Sequence, residues 1–129
     1  MARIMIVDDE RDVVTLVKFL LERDGHVVAA AYDGADALAQ LGVEPAAPAA
    51  PVPDLMVVDL MMPVLDGLSL SARLAGCART KGVPLIILTA KGEMSNVFQG
   101  TANVAGFVEK PFDPKSLRER INAVLAQKK

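Results

Sequence analysis

Ile4-Met5-Ile6-Val7-Asp8-Asp9-Glu10 is the stretch on which the fold turns. Four apolar residues run straight into consecutive acids. A helical spacing then begins, with Val13, Leu16, Val17, Leu20 and Leu21 at i, i+3, i+4, i+7 and i+8, and Gly25 follows as a stop signal. A short, wholly apolar strand followed directly by an amphipathic helix is a βα unit whose strand is covered on both faces. The strand is expected at residues 4–7 and the helix from just after Asp9 to about Asp24.

Outward from this unit the pattern recurs. Further strands are expected at Val27–Ala31, Leu55–Val58, Leu85–Leu88 and Phe107–Val108, and further helices at about Gly34–Leu41, from Gly67 toward Arg79, and from Pro114 to about Gln127. Asp113 followed by Pro114 is a strong helix start, and Leu117, Ile121, Val124 and Leu125 form the apolar stripe of that last helix. The segment 93–103 is expected to form a marginal helix. Ser95, Asn96, Gly100, Thr101 and Asn103 are poor helix formers, although Met94, Val97, Phe98 and Thr101 share one face. Five such repeats predict an α/β fold: a doubly wound, five-stranded parallel sheet with helices on both faces. The exception is Val43–Pro53, whose four prolines predict an exposed, extended loop inserted into a single domain spanning residues 1–129.

Composition narrows the function. The chain has 129 residues, of which 52% are hydrophobic and only 4% aromatic, so one core built from Val, Leu, Ile, Ala and Met is expected. Fourteen Lys and Arg against sixteen Asp and Glu give a net charge of −2, which supplies no basic field for a nucleic-acid backbone. No apolar run approaches the roughly 18–20 residues of a membrane span, and Met1-Ala2-Arg3 leads into a strand rather than a signal peptide, so a cytoplasmic protein is expected. The lone Cys77 reads as a structural thiol, His26 as a surface or satisfied turn residue, and Met5, Met56, Met61 and Met62 as adaptable packing.

In an open α/β sheet the functional crevice lies beyond the carboxyl ends of the strands. The residues there are Asp8 and Asp9 after the first strand, Asp59 after the third, Thr89 after the fourth, and Lys110-Pro111 after the fifth. Three converging acids repel one another and call for a cation, and Mg²⁺ is usually held by one or two carboxylates together with a phosphate. A carboxylate beside such an ion can serve as a nucleophile toward phosphorus, with Thr89 and Lys110 neutralising the oxygens of the transferred group.

With these residues in place the chain closely resembles the receiver domain of two-component response regulators. The matching motifs are IMIVDDE at 4–10, VVDLMMPVLDG at 57–67, IILTAKG at 86–92 and FVEKPFDP at 107–114. The resemblance implies a flavodoxin-like (βα)₅ fold with strand order 2-1-3-4-5. It implies Asp59 as phosphoacceptor, and Asp8, Asp9, Asp59 and the carbonyl of Met61 as Mg²⁺ ligands. It implies Thr89 as switch hydroxyl, Lys110 as the phosphoryl-contacting lysine, a cis bond before Pro111, Phe107 as the rotating aromatic, and Met62-Pro63 with Asp66-Gly67 as the turn opening the third helix.

The implied partners are a sensor histidine kinase or histidine phosphotransfer protein and a downstream protein. The contact would be made on the face formed by the fourth helix, fifth strand and last helix, with no direct nucleic-acid or membrane contact. A monomer or a phosphorylation-dependent homodimer is implied, acting as a stand-alone receiver or as part of a longer protein, and not as an enzyme beyond self-phosphorylation from phosphodonors and slow autodephosphorylation. Two departures stand out: the Pro/Ala insertion, and the absence of any charge from Met94 to Val108, which leaves salt-bridged pairing across that face unsupported. Two other readings are a phosphate-independent interaction module with the same fold, and a phosphatase with Asp59 as nucleophile. The latter is disfavoured because Met61 occupies the place of the general acid. Lys110→Ala is expected to lose coupling more than stability, on the premise that an exposed lysine adds little to the core.

Overall fold

Apolar strands with acids at their carboxyl ends build the centre of the molecule. A computed structural model describes residues 2–44, 46–47, 49–62, 65–90, 103–110 and 112–127. Its elements in chain order are β1 (Arg3–Val7), α1 (Arg11–Arg23), β2 (Val27–Ala31), α2 (Gly34–Gln40), β3 (Leu55–Asp59), α3 (Gly67–Ala75), β4 (Leu85–Ala90), β5 (Val104–Lys110) and the C-terminal helix α4 (Pro114–Gln127). The expected helix at Glu93–Asn103, the Met62-Pro63 bond and Pro111 with its cis bond lie wholly or partly outside the described residues.

The five strands form one parallel sheet in the order β2-β1-β3-β4-β5, as expected. Alternation along each strand feeds two cores. Ile4, Ile6, Leu55, Val57, Ile86 and Leu88 pack with α1 and α4, whereas Met5, Val7, Met56, Val58, Leu85 and Ile87 pack with α2 and α3. Among the described residues two helices therefore cover each face, which is why the strands are apolar throughout. Helix starts follow local chemistry. The carboxylates of Asp33 and Asp66 accept from the amides of Asp36 and Ser69, each at 2.7 Å, and Asp113 accepts from Lys115 N at 3.2 Å. Gly25, at φ +90°, ends the turn after α1.

Four expectations are corrected. The buried face of α1 is Val14, Val17 and Leu21, while Leu16 is 41% exposed; apolar residues on both flanks of this helix leave the sequence pattern unable to fix its rotation. Helix α3 stops at Ala75, because Gly76 follows and the buried Thr80 hydroxyl takes the Leu74 carbonyl at 2.7 Å. Strand β5 begins three residues early, at Val104. A register shift between Leu85 and Ile86 pairs them with Val104 and Gly106, bypassing Ala105. This bulge flips the side-chain parity, so Val104 and Phe107 contact the same core although they are an odd number of residues apart.

The fourth correction concerns the insertion, which is folded rather than extended. Ala47 N donates to Gly42 O at 2.8 Å and Ala50 N to Ala47 O at 2.9 Å. Val43 and Val52 pack on the core, and Pro53 is buried. Arg79 donates to the Leu41 and Ala50 carbonyls, and Arg73 pairs with Glu44. No helix among the described residues is long and apolar enough to cross a membrane.

Candidate functional site

The register of the parallel sheet brings its carboxyl-end residues together. Val7 is level with Val58, Asp59 with Leu88, and Ala90 with Lys110, so Asp8, Asp59, Thr89 and Lys110 all reach the same edge. Asp8 is fully buried and its amide still donates to Ala31 O at 3.1 Å. Asp59 is 6% exposed. Its backbone is fixed from both sides, as Leu60 N donates to Leu88 O and Gly67 N to Leu60 O, both at 2.8 Å. Gly67 has to lack a side chain: a Cβ there would meet Asp59 O at 2.7 Å.

Lys110 Nζ lies 2.8 Å from Glu10 Oε1, 2.9 Å from Asp8 Oδ2 and 3.5 Å from Asp59 Oδ1. Carboxylate oxygens of Asp8, Glu10 and Asp59 fall within 4.8 Å of one another. Asp9, Glu10, Asp59, Met61 and Lys110 line a cleft of about 260 Å³. A smaller cavity of about 80 Å³, lined by Arg3, Val27, Gln40 and Pro51–Pro53 among others, lies away from these acids and holds no comparable charge cluster.

Crowded acids resist ionisation. Burial, followed by the charge of Asp8, pushes the Asp59 carboxyl up to about 7 against the pull of Lys110. Burial likewise raises Asp8, opposed by its hydrogen bonds from Lys110 and from the Glu10 amide. Burial alone would lower Lys110, but its hydrogen bonds to Glu10 and Asp8, with the charges of Asp8 and Asp59, hold it above its ordinary value. Buried carboxylates that repel each other and share a single described ammonium are a donor set suited to a hard divalent cation.

The sequence-expected residues are distributed as follows. Asp8, Asp59 and Lys110 are in mutual contact range, and Thr89 is buried on β4 one residue beyond the partner of Asp59. Asp9 and Met61 line the cleft; Asp9 is exposed and lies outside the trio whose oxygens converge, and the Met61 side chain is 63% exposed. Phe107 is half-buried against the α2–α3 core. Pro111 is outside the described residues. Lys110 is not the exposed lysine expected from sequence, since its side chain is 17% exposed and bound to three acids. Sequence reading missed Glu10. The sequence signal is that Glu10 extends the acidic run Asp8-Asp9; in the structure it sits at the N-cap of α1, where Ser, Thr, Asp or Asn is favoured, and its side chain makes no capping bond.

The sequence model of the response regulator receiver domain matches residues 4–122. The chain belongs to this family. The receiver domain is 35% identical over 127 residues to Protein PilH of Pseudomonas aeruginosa, covering 98% of this chain and 99% of that one. It is 36% identical over 124 residues to the alkaline phosphatase synthesis transcriptional regulatory protein PhoP of Bacillus subtilis, with 95% of this chain covered but only 48% of that protein. The chain thus spans about half the length of PhoP and similar curated relatives. Among solved structures, a putative response regulator from Chloroflexus aurantiacus superposes with a TM-score of 0.83 at 30% identity, covering 97% of this chain and 98% of the other. The Francisella response regulator 1452 receiver domain also gives 0.83, at 28% identity and full coverage of both chains. As a receiver domain homologous to phosphorylatable response regulators, the chain carries an acidic cluster that fits a phospho-aspartate site.

Proposed function

We propose that residues 1–129 form one receiver domain that acts as a phosphorylation switch, with Asp59 as its phosphoacceptor. The observation that carries the reading is the placement of a nearly buried Asp59 at the floor of a cleft, beside Asp8 and 3.5 Å from the Lys110 ammonium. A carboxylate oxygen of Asp59 attacks the phosphorus of a phosphohistidine on a sensor kinase or phosphotransfer protein. The new O–P bond forms as the P–N bond breaks, and the imidazole nitrogen keeps the electron pair and takes up a proton. Lys110 turns to the phosphoryl oxygens, and the Thr89 hydroxyl approaches them from β4. Asp8, Asp9, Asp59 and the Met61 carbonyl would hold Mg²⁺, which when bound would screen the acids and the incoming phosphoryl charge.

Withdrawal of Thr89 toward the anion opens space for Phe107 on β5, which couples the site to the face formed by the fourth helix, fifth strand and last helix, where a downstream protein docks. Beyond self-phosphorylation from phosphodonors and slow autodephosphorylation the chain turns over no small molecule, and it acts in the cytoplasm through protein contacts. Intact mass after incubation with acetyl phosphate tests the reading. One phosphoryl group is expected on the wild type with Mg²⁺, and none without Mg²⁺ or in Asp59→Asn. A folded, Mg²⁺-binding protein that gains no group would instead be a phosphate-independent interaction module.

A further inference from the structure

Glu10 stands in an odd place. It is the N-cap of α1, yet its carboxylate caps nothing there and instead reaches Lys110 Nζ at 2.8 Å, 100 residues away in sequence. Its backbone is held for that reach, because the Glu10 amide donates to Asp8 Oδ1 at 2.9 Å. The Lys110 ammonium therefore lies nearer to Glu10 and Asp8 than to Asp59, at 2.8 and 2.9 Å against 3.5 Å. A favoured capping interaction given up for a long-range ion pair marks a position set by the site rather than by the helix.

We infer that Glu10 is a positioning residue that holds Lys110 back from the acceptor carboxylate and so biases the protein toward its unphosphorylated state. This rests on the phosphoacceptor reading above. An anion arriving on Asp59 must draw the ammonium away from Glu10, and Glu10, 60% exposed at the cleft rim, adds only repulsion to the anion. Asp8 is not placed for this part, since it is fully buried and pairs with Lys110 inside the site, away from the cleft lining. The effect of an exposed charged pair is modest, about two- to fivefold in an equilibrium.

The test is an NMR titration of ¹⁵N-labelled wild type, Glu10→Gln and Glu10→Asp with beryllium fluoride, a phosphoryl mimic, in the presence of Mg²⁺. It follows the backbone amides and the Lys110 Nζ signal. Asp keeps the charge but is one methylene too short to hold the contact. The expected result is a displaced Nζ signal in both unliganded variants and beryllofluoride affinity tightened about two- to fivefold in both. An unmoved Nζ signal overturns the pairing, and unchanged or weakened affinity overturns the restraint. Tightening in Glu10→Gln with wild-type behaviour in Glu10→Asp assigns the effect to charge at a distance and overturns the contact. A more than tenfold loss of Mg²⁺ affinity with Nζ unmoved makes Glu10 a metal ligand instead. Wild type that binds Mg²⁺ but no beryllofluoride, with Nζ displaced in the variants, shows the phosphoacceptor reading to be at fault, and the restraint falls with it although the ion pair stands.

Discussion

Lys110 balances three carboxylates from the end of one edge strand, and its removal tests whether that balance or the packing of its stem matters more. Without it, the fully buried Asp8 and the nearly buried Asp59 face each other with no described cation between them. The ammonium stays charged throughout the neutral range, because its folded-state value is raised; its own contribution disappears only as pH climbs past that value. The acids are what titrate. Lys110→Ala is therefore expected to destabilise the metal-free protein by about 1–3 kcal/mol at about pH 8, above the value of about 7 to which Asp59 is pushed. At about pH 5, where Asp59 is protonated, the loss should shrink to under about 1 kcal/mol. Urea unfolding at the two pH values decides it, and an equal loss at both would assign the effect to the aliphatic stem.

At the level of elements, the sequence was most readable where one physical cause acts alone. Uninterrupted apolar runs could only be strands covered on both faces, and Asp113-Pro114 could only open a helix. It was least readable where distant side chains decide. Four prolines in residues 43–53 argue against helix and ladder, and the described residues of that run form neither, yet nothing in it shows that Arg79, in the turns after α3, pins it through the Leu41 and Ala50 carbonyls. Ala105-Gly106 lacks strong strand formers, and Val104–Gly106 pairs because β4 offers its edge and a bulge absorbs Ala105. The pinned loop makes its own prediction. Arg79→Ala removes two donors from half-buried carbonyls and is expected to cost about 1–2 kcal/mol. It should also speed hydrogen exchange at the Ala47 and Ala50 amides, whose bonds close the loop, while the amides of β1 and β3 stay protected. Unchanged exchange at Ala47 and Ala50 would show that the turns stand without the arginine.

For the whole molecule, the topology made most of the site legible before any coordinates, because a parallel sheet delivers its strand ends to one edge and the acids, hydroxyl and lysine fall there by position alone. Glu10 was hidden for the converse reason: a helix-cap position is judged locally, whereas its partner lies on the fifth strand. The same convergence makes global stability depend on pH in a direction opposite to ordinary acid unfolding. Asp59 has a folded value of about 7 against 3.8 for a free carboxyl, so between these pH values the folded protein binds the more protons. Stability must therefore fall as pH rises through that window and level off above it, and Asp8 acts with the same sign. Asp24, lowered by Arg118, works the other way but only below its ordinary range. Three pH units set a ceiling of about 4 kcal/mol for Asp59, and solvent at the cleft mouth reduces the expected loss to about 1–3 kcal/mol. Asp59→Asn should remove most of the slope and leave the metal-free protein more stable than wild type at about pH 8. Mg²⁺ at about ten times its Kd should return about 1.4 kcal/mol. That gain should be larger at about pH 8 than at about pH 5.5, because protons compete for the same oxygens. Denaturant midpoints across this range, with EDTA and then with Mg²⁺, measure all three effects. Wild-type stability that is flat or rising between about pH 5 and 8 in EDTA would mean that the acids at the sheet edge ionise without penalty, and the case for a cation-requiring site would lose its electrostatic basis.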